Sequence, residues 1–447
     1  MTKIFNLLLL CSAISTAALA QNCPDNFLGT KTLYPTPNEK YTPGPKGYEP
    51  VFINYVGRHG ARHLTKEVKV AYTYGLLQKA DSAGALTPQG QQLKQMITRL
   101  EKVEGVDTKS ISDEGRTELQ DIGRRMYAQQ KTIFDKQLNL NVGITKEVRT
   151  KQSADAFLSG LKEGLKAEPT IDRYNDDTNL RFYDASPAYF AFEEGGPWLP
   201  LMVSLEKTER IAEVNKALAG RMFTADFAGK LSASQLDKFA GDVFGFTTIV
   251  YSLKNEISKA GFTPDELNFK AFFTCDELQH LGKVDVADDF FKKGPGINAN
   301  GIQVRIAAPL LVNFIKTADE FMAGGKYNAQ LRFAHAETIA PFAALLGIST
   351  ADKPTTDIKR INIDWKPAQV APLSSNIQWI FYKKTGSNNY LVKVLLNEKE
   401  VRITGLKSTT YPYYQWNDMK AFYTKKLHGY GVNLNDDMLK YLKDLKQ

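Results

Sequence analysis

The 447-residue sequence has only three cysteines and five histidines, and no cysteine falls in a C-x-x-C pair or at zinc-like spacing. It also lacks a P-loop, a G-x-S-x-G elbow and a G-x-G-x-x-G fingerprint, so nucleotide-driven chemistry has no support. Low-complexity runs and internal repeats are missing too. There is no basic tail: 57 Lys and Arg against 49 Asp and Glu give a net charge of +8, but the basic residues are spread along the chain. That distribution favours small acidic ligands over a nucleic-acid stripe. The longest uncharged apolar stretch, Phe5 to Ala20, falls short of the roughly 20 residues that span a bilayer.

That stretch lies in MTKIFNLLLLCSAISTAALA, with Lys3 near its start, an apolar core through Leu10 and the small-residue end Ala18-Leu19-Ala20. The pattern predicts a cleavable secretory signal, a mature chain from Gln21 and a periplasmic or secreted protein. Cys11 follows Leu10, where a lipoprotein site would want a small residue. Cys23 and Cys275 then remain, either as one disulfide or as two free buried thiols. With 43% hydrophobic residues, a sizeable core is expected in one large or two modest domains.

Val51-Phe-Ile-Asn-Tyr-Val56 is a run of β-formers stopped by Gly57, after which the chain turns charged and, beyond Thr65, helical in texture. SISDEGRTELQDIGRRMYAQQ carries a Ser110 or Ser112 cap, Asp113 and Glu114 in a first turn, and Leu119, Ile122 and Met126 at helical spacing. A short strand around Val142 to Thr145 precedes Arg149 and a helix bearing Ala154, Phe157, Leu158 and Leu161. From 167 to 301 the texture is of helices divided by polar loops. Gln330 to Ala334 is again strand-like, followed by His335-Ala-Glu337 and a helix TIAPFAALLG with Pro341 in its first turn and Gly347 at its end. NIQWIFYKK, NYLVKVLLN and KEVRI complete a sheet. The expected fold is α/β: a mixed sheet flanked by helices from 21–166 and 302–447, interrupted by a mainly helical insertion at 167–301.

Ligands of such sheets sit beyond the carboxyl ends of strands, where both His59 and His335 fall. His59 and His63 have the outer spacing of a zinc helix, but Gly60 stands where a helix is needed, no glutamate lies between them, and Arg58 and Arg62 would repel a cation. Two guanidiniums around an imidazole suit an anion, and their planar donors match phosphate oxygens. Held there, a phosphate ester could be attacked by His59, with the arginines stabilising charge on the equatorial oxygens and Glu337 protonating the leaving group. Neither metal nor cofactor is required.

RHGARHLTK at 58–66 resembles the RHGxRxPTK signature of the branch 2 histidine phosphatases, which include histidine acid phosphatases and phytases. VRTKQSADAFLSGL at 148–161 is similar to their RTxxSAxAFxxGL segment. HAE at 335–337 is similar to the second motif of the multiple inositol polyphosphate phosphatases, and LLNEKEVRI at 395–403 fits as well. The resemblance implies His59 as the phosphorylated nucleophile, Arg58, Arg62, Arg149 and His335 around the transferred phosphoryl group, Glu337 as proton donor, and Thr65 and Lys66 as substrate-phosphate contacts. Leu64 replaces the signature proline, and Ala336 stands where other members have aspartate.

The expected protein is thus an exported, metal-independent phosphomonoesterase acting on inositol polyphosphates such as phytate, with Lys66, Lys292 and Lys293 holding phosphates that are not cleaved. Its rivals are a broad acid or sugar-phosphate phosphatase, a phosphotransferase and a non-catalytic binder of phosphate esters. The expected partner is an anionic small molecule, with no nucleic acid, no stable membrane insertion and a monomeric state. His63 is expected behind the pocket or at its rim. His280 and His428 are expected to be structural or exposed, and Tyr411, Tyr413, Tyr414 and Trp416 to serve the core or an edge strand.

Overall fold

The computed structural model describes residues 23–37 and 40–446, so the expected signal segment lies outside the described residues. β-Branched and aromatic side chains of Tyr48–Arg58 alternate between two apolar layers, and this strand, β1, becomes the buried centre of the sheet. Phe52 and Val56 enter one layer, with Phe314, Phe342 and Trp379. Ile53 and Tyr55 enter the other, with Leu119, Phe157 and Phe333. Full burial of a ring such as Phe157 contributes about 2–3 kcal/mol.

The other strands are β2 (Asn139–Ile144), β3 (Thr170–Asn175), β4 (Ala329–Ala334), β5 (Asn376–Lys384), β6 (Tyr390–Leu396), β7 (Lys399–Glu400) and β8 (Tyr413–Gln415). Their order is β3-β2-β4-β1-β5-β6-β7, with β8 on β6. Pairing is parallel from β3 to β1 and antiparallel beyond it. The parallel half therefore opens all its carboxyl ends on one edge. β1 and β4 run in register from Ile53 against Ala329 to Arg58 against Ala334, which sets His59 and His335 side by side.

Residues 170–175, placed in the helical insertion by the sequence, form the edge strand β3 of this sheet. Its TIDRYN sequence is mostly polar because an edge strand is half exposed, so it carries no apolar alternation. The separate helical core draws on both sides of residue 167. The helices Tyr72–Ser82 and Pro88–Glu104 pack Leu77, Leu93 and Leu100 with Met222, Phe239 and Phe269. A Cys23–Cys275 disulfide ties the first described residue to this lobe. Tyr413, Tyr414 and Trp416 are buried in the β6–β8 region. Of KEVRI, only Lys399 and Glu400 pair as strand. Pro341 lies in the second turn, since the helix Ala336–Leu346 starts two residues earlier than the sequence suggested; Gly347 caps its end with φ 73°. Among the described residues, no helix is long and apolar enough to cross a membrane.

The helix Asp113–Gln129 is capped by Ser112, whose Oγ accepts the Gly115 N–H at 3.3 Å, and its first turn touches the loop after β1. A Cβ on Gly115 would stand 2.1 Å from the Ala61 carbonyl oxygen. Gly115→Ala should therefore lower stability by about 1–3 kcal/mol in denaturant unfolding and displace the 58–63 loop. Gly220→Ala, in the helix Ile211–Met222 with open space around it, should be neutral or stabilising by up to about 1 kcal/mol.

Candidate active site

β1 ends at Arg58, and the next residue is bonded into its neighbours by backbone alone. His59 N–H donates to the Ala334 carbonyl at 2.9 Å, Ser374 N–H donates to the His59 carbonyl at 3.1 Å, and Arg58 N–H donates to Ser375 at 2.7 Å. Strand β4 and the turn before β5 thus fix the nucleophile candidate. The His59 Nδ1 lies 2.9 Å from the Gly60 carbonyl, an obligate acceptor, so Nδ1 carries the proton and Nε2 is left with its lone pair. Its ring centroid is 5.6 Å from that of His335.

His335 is held from two sides. Arg149, in the first turn of the helix Val148–Lys162, donates through Nη2 to its Nδ1 at 3.3 Å, and its Nε2 then donates to Thr145 Oγ1 at 3.1 Å. Both imidazoles are therefore neutral. Burial, followed by Arg58, His335, Arg149 and Arg62, holds the His59 pKa well below the ordinary 6.5. Burial and then Arg149 do the same to His335.

Arg58 is 5% exposed, and its Nη1 donates to the carbonyls of Thr30 at 2.5 Å and Ala371 at 2.7 Å. The buried Nε atoms of Arg58 and Arg149 have no partner. Arg62 donates to the His63 carbonyl, and burial together with Arg58 and Arg149 brings its pKa down to about 10. Three guanidiniums converge here with N–H groups to spare, and two neutral rings lie among them. Such a pocket is made for an anion with several oxygens.

Glu337 opens the helix after β4, with its side chain 35% exposed and Oε1 3.1 Å from Lys293 Nζ. Burial opposes its charge, but Lys293, a backbone hydrogen bond and Arg58 act against it and hold the carboxyl below the usual carboxylate range. A substrate dianion would draw on Arg58 and place its own negative charge beside the carboxyl, which favours its taking up a proton.

Thr65 and Lys66 are exposed residues of the loop rather than members of this cluster. Lys292 pairs with Asp288 at 2.5 Å and lies over the Trp198 ring, so it is engaged elsewhere. His63 is buried behind the loop, with Nδ1 3.2 Å from Glu104, whose carboxylate also accepts Leu64 N–H. His280 pairs with Glu209 at 2.5 Å. Sequence reasoning missed the residues that hold the pocket in shape. Glu118 accepts from Tyr34 N–H at 2.7 Å, Ala61 N–H at 3.2 Å and Ser374 Oγ at 2.7 Å. Glu147 bridges Arg149 at 2.8 Å and Arg181 at 2.9 Å, and Tyr183 meets the His335 ring edge-on at 6.2 Å. Only Ser153, which accepts Gly60 N–H at 3.1 Å, lay inside a recognised motif. Among the described residues, no cluster of His, Cys, Asp and Glu could hold a metal ion.

Residues 51–397 match the family model of the histidine phosphatase superfamily (branch 2). The chain is 22% identical to human multiple inositol polyphosphate phosphatase 1, over 92% of this chain and 89% of that protein. Its fold is similar to that of the Bifidobacterium longum multiple inositol polyphosphate phosphatase solved with inositol hexasulfate, with TM-score 0.76 and 21% identity over 89% of this chain and 97% of that one. The phytase from D. castellii is similar at TM-score 0.65 and 15% identity, over 90% of this chain and 85% of that one.

The unfolded chain binds protons below about pH 6.5 that His59 and His335 refuse in the native state, so their contribution to stability is present above that pH and is lost as the pH falls towards the native values. In phosphate-free protein at about pH 5.5, the imidazole nitrogen shifts of both should report neutral rings. Stability should decline between about pH 7 and 5, and decline less in His335→Gln.

Proposed function

Because the chain belongs to branch 2 of the histidine phosphatase superfamily, and is a phosphoric monoester hydrolase of the histidine acid phosphatase type, we propose that it removes phosphates from inositol polyphosphates through a phosphohistidine. The observation that carries this reading is the pair of neutral histidines, 5.6 Å apart, in a pocket of under-satisfied guanidiniums with one ionised carboxylate at its edge. The substrates named for the human relative and the inositol hexasulfate bound to the bifidobacterial one support the choice of substrate class.

His59 Nε2 attacks phosphorus as the bond to the leaving oxygen breaks. Arg58, Arg62 and Arg149 take the charge of the equatorial oxygens beside the neutral ring of His335, and Glu337, protonated once substrate has drawn on the guanidiniums and set its own negative charge beside the carboxyl, gives its proton to the departing alkoxide. In the second half Glu337 accepts a proton from water, the water oxygen bonds to phosphorus, and the Nε2–P bond breaks to release phosphate. Thr65 and Lys66, exposed on the same loop, are available to phosphates not being cleaved. The reaction needs no metal or cofactor. Export as a soluble protein is supported by the Cys23–Cys275 disulfide, which persists in oxidising compartments.

His59→Ala should abolish turnover, at least about 10³-fold, while still unfolding cooperatively, and acid-labile phosphate should no longer be trapped on the protein by denaturing quench. Glu337→Gln should slow phytate hydrolysis by about 10²-fold or more and an aryl phosphate much less, since the aryl leaving group needs no proton. Equal losses on both would remove Glu337 from its role. Hydrolysis of glucose phosphates as fast as phytate would make this a broad acid phosphatase instead.

A further inference from the structure

Lys293 follows directly on the helix Cys275–Lys292, far in sequence from every motif of the site. Its ammonium donates to Asp289 Oδ1 at 2.8 Å and stands 3.1 Å from Glu337 Oε1. Asp289 Oδ2 accepts from Thr30 Oγ1 at 2.9 Å, and the Thr30 carbonyl is one of the two that hold Arg58. The anion pocket and the carboxylate are thus joined by one run of contacts: Arg58, Thr30, Asp289, Lys293, Glu337. Among the described residues, Lys293 is the one cation within 4 Å of the Glu337 carboxylate.

We propose that Lys293 is a positioning residue for the two proton transfers, orienting Glu337 and keeping it ionised for the water-activating half-reaction, rather than a contact for substrate phosphate. This rests on Glu337 being the proton-transfer group. The ammonium has three protons, and two are directed at carboxylates that belong to the protein, so little of its charge remains for a ligand. Other groups facing Glu337 are Arg58 at the end of β1, Arg62 from the loop after it, His335 beside Glu337, Tyr183, and Tyr189 and Glu193 of the helix Pro187–Gly195. Lys293 also faces Asp285, Asp289, Tyr189 and Glu193. Of the cations among these, Lys293 is held directly by a carboxylate, Asp289, that is not part of the phosphate pocket. Its charge therefore persists opposite Glu337 when a phosphoryl group has neutralised the arginines. In the phosphoenzyme it stabilises the carboxylate that must take the proton of water while the water oxygen bonds to phosphorus and the Nε2–P bond breaks.

An aryl phosphate, whose good leaving group makes phosphoenzyme breakdown limiting, reads this step directly. In Lys293→Met the acid limb of kcat should move to higher pH by about one to three pH units, with more phosphohistidine trapped at low pH. Lys293→Arg should keep the limb near its original place. Asp289→Asn, which removes the competing carboxylate, should move it the other way. A limb unmoved in Lys293→Met, or moved equally in Lys293→Arg, overturns the proposal; if Lys293→Met fails to fold, Asp289→Asn decides by the sign of its shift. Glu337→Gln separates the two levels: if it leaves the limb in place, the role of Glu337 itself fails, whereas if it removes a limb that Lys293→Met does not move, only the role of Lys293 does.

Discussion

The parallel register of β1 on β4 is the constraint on which the rest of the site depends. Two histidines that stand 276 positions apart become neighbours because Arg58 pairs with Ala334 and the next amide, His59 N–H, caps that same carbonyl. A one-residue slip would turn every side chain of β1 to the opposite layer, burying Asn54 among rings and sending Ile53 towards the Arg332 hydrogen bonds. The two unlike apolar layers forbid that slip. The packing of Phe52 and Val56 on one face and Ile53 and Tyr55 on the other is thus also what holds the chemistry in place.

Charge is balanced around this point in layers. Innermost are guanidiniums with too few acceptors, which leave room for an anion. Behind them stand carboxylates that never reach a substrate: Glu118 beneath the loop, Asp289 behind Lys293, and Glu147 between Arg149 and Arg181. Burial raises the pKa of Glu118 against the hydrogen bonds from Tyr34, Ser374 and Ala61 and the charge of Arg58, which favour its ionised form. The neutral state of both imidazoles follows first from burial and then from the same field, which together keep a nucleophile unprotonated.

How much of this the sequence disclosed follows from which interactions leave a side-chain signature. β1 holds a run of β-branched and aromatic residues because both its faces are buried, and the short motifs at the ends of β1 and β4 carry reactive side chains, so strand, loop and candidate residues could all be recognised. β3 could not, because a polar edge strand has no periodicity to detect. The helical lobe was only half visible, since its core joins residues near 77–100 to residues near 218–278 and no local pattern links them. The carbonyls of Thr30 and Ala371, which hold Arg58, belong to the backbone and are invisible to any reading of residue types. Lys292 and Lys293 looked equivalent, and only their positions at the helix end separate one that turns to Trp198 from one that turns to Glu337.

The clamp on Arg58 draws on residues 30 and 371, and the His59 carbonyl is met by the amide of residue 374. A ribosome making this chain delivers the first of these almost at once and the last only when more than four fifths of the polypeptide has emerged. Until then Arg58 lacks one anchor and the loop of His59 lacks its stop. A chain that ends before residue 371 therefore lacks part of the clamp, and the pocket's geometry needs the polypeptide through the start of β5.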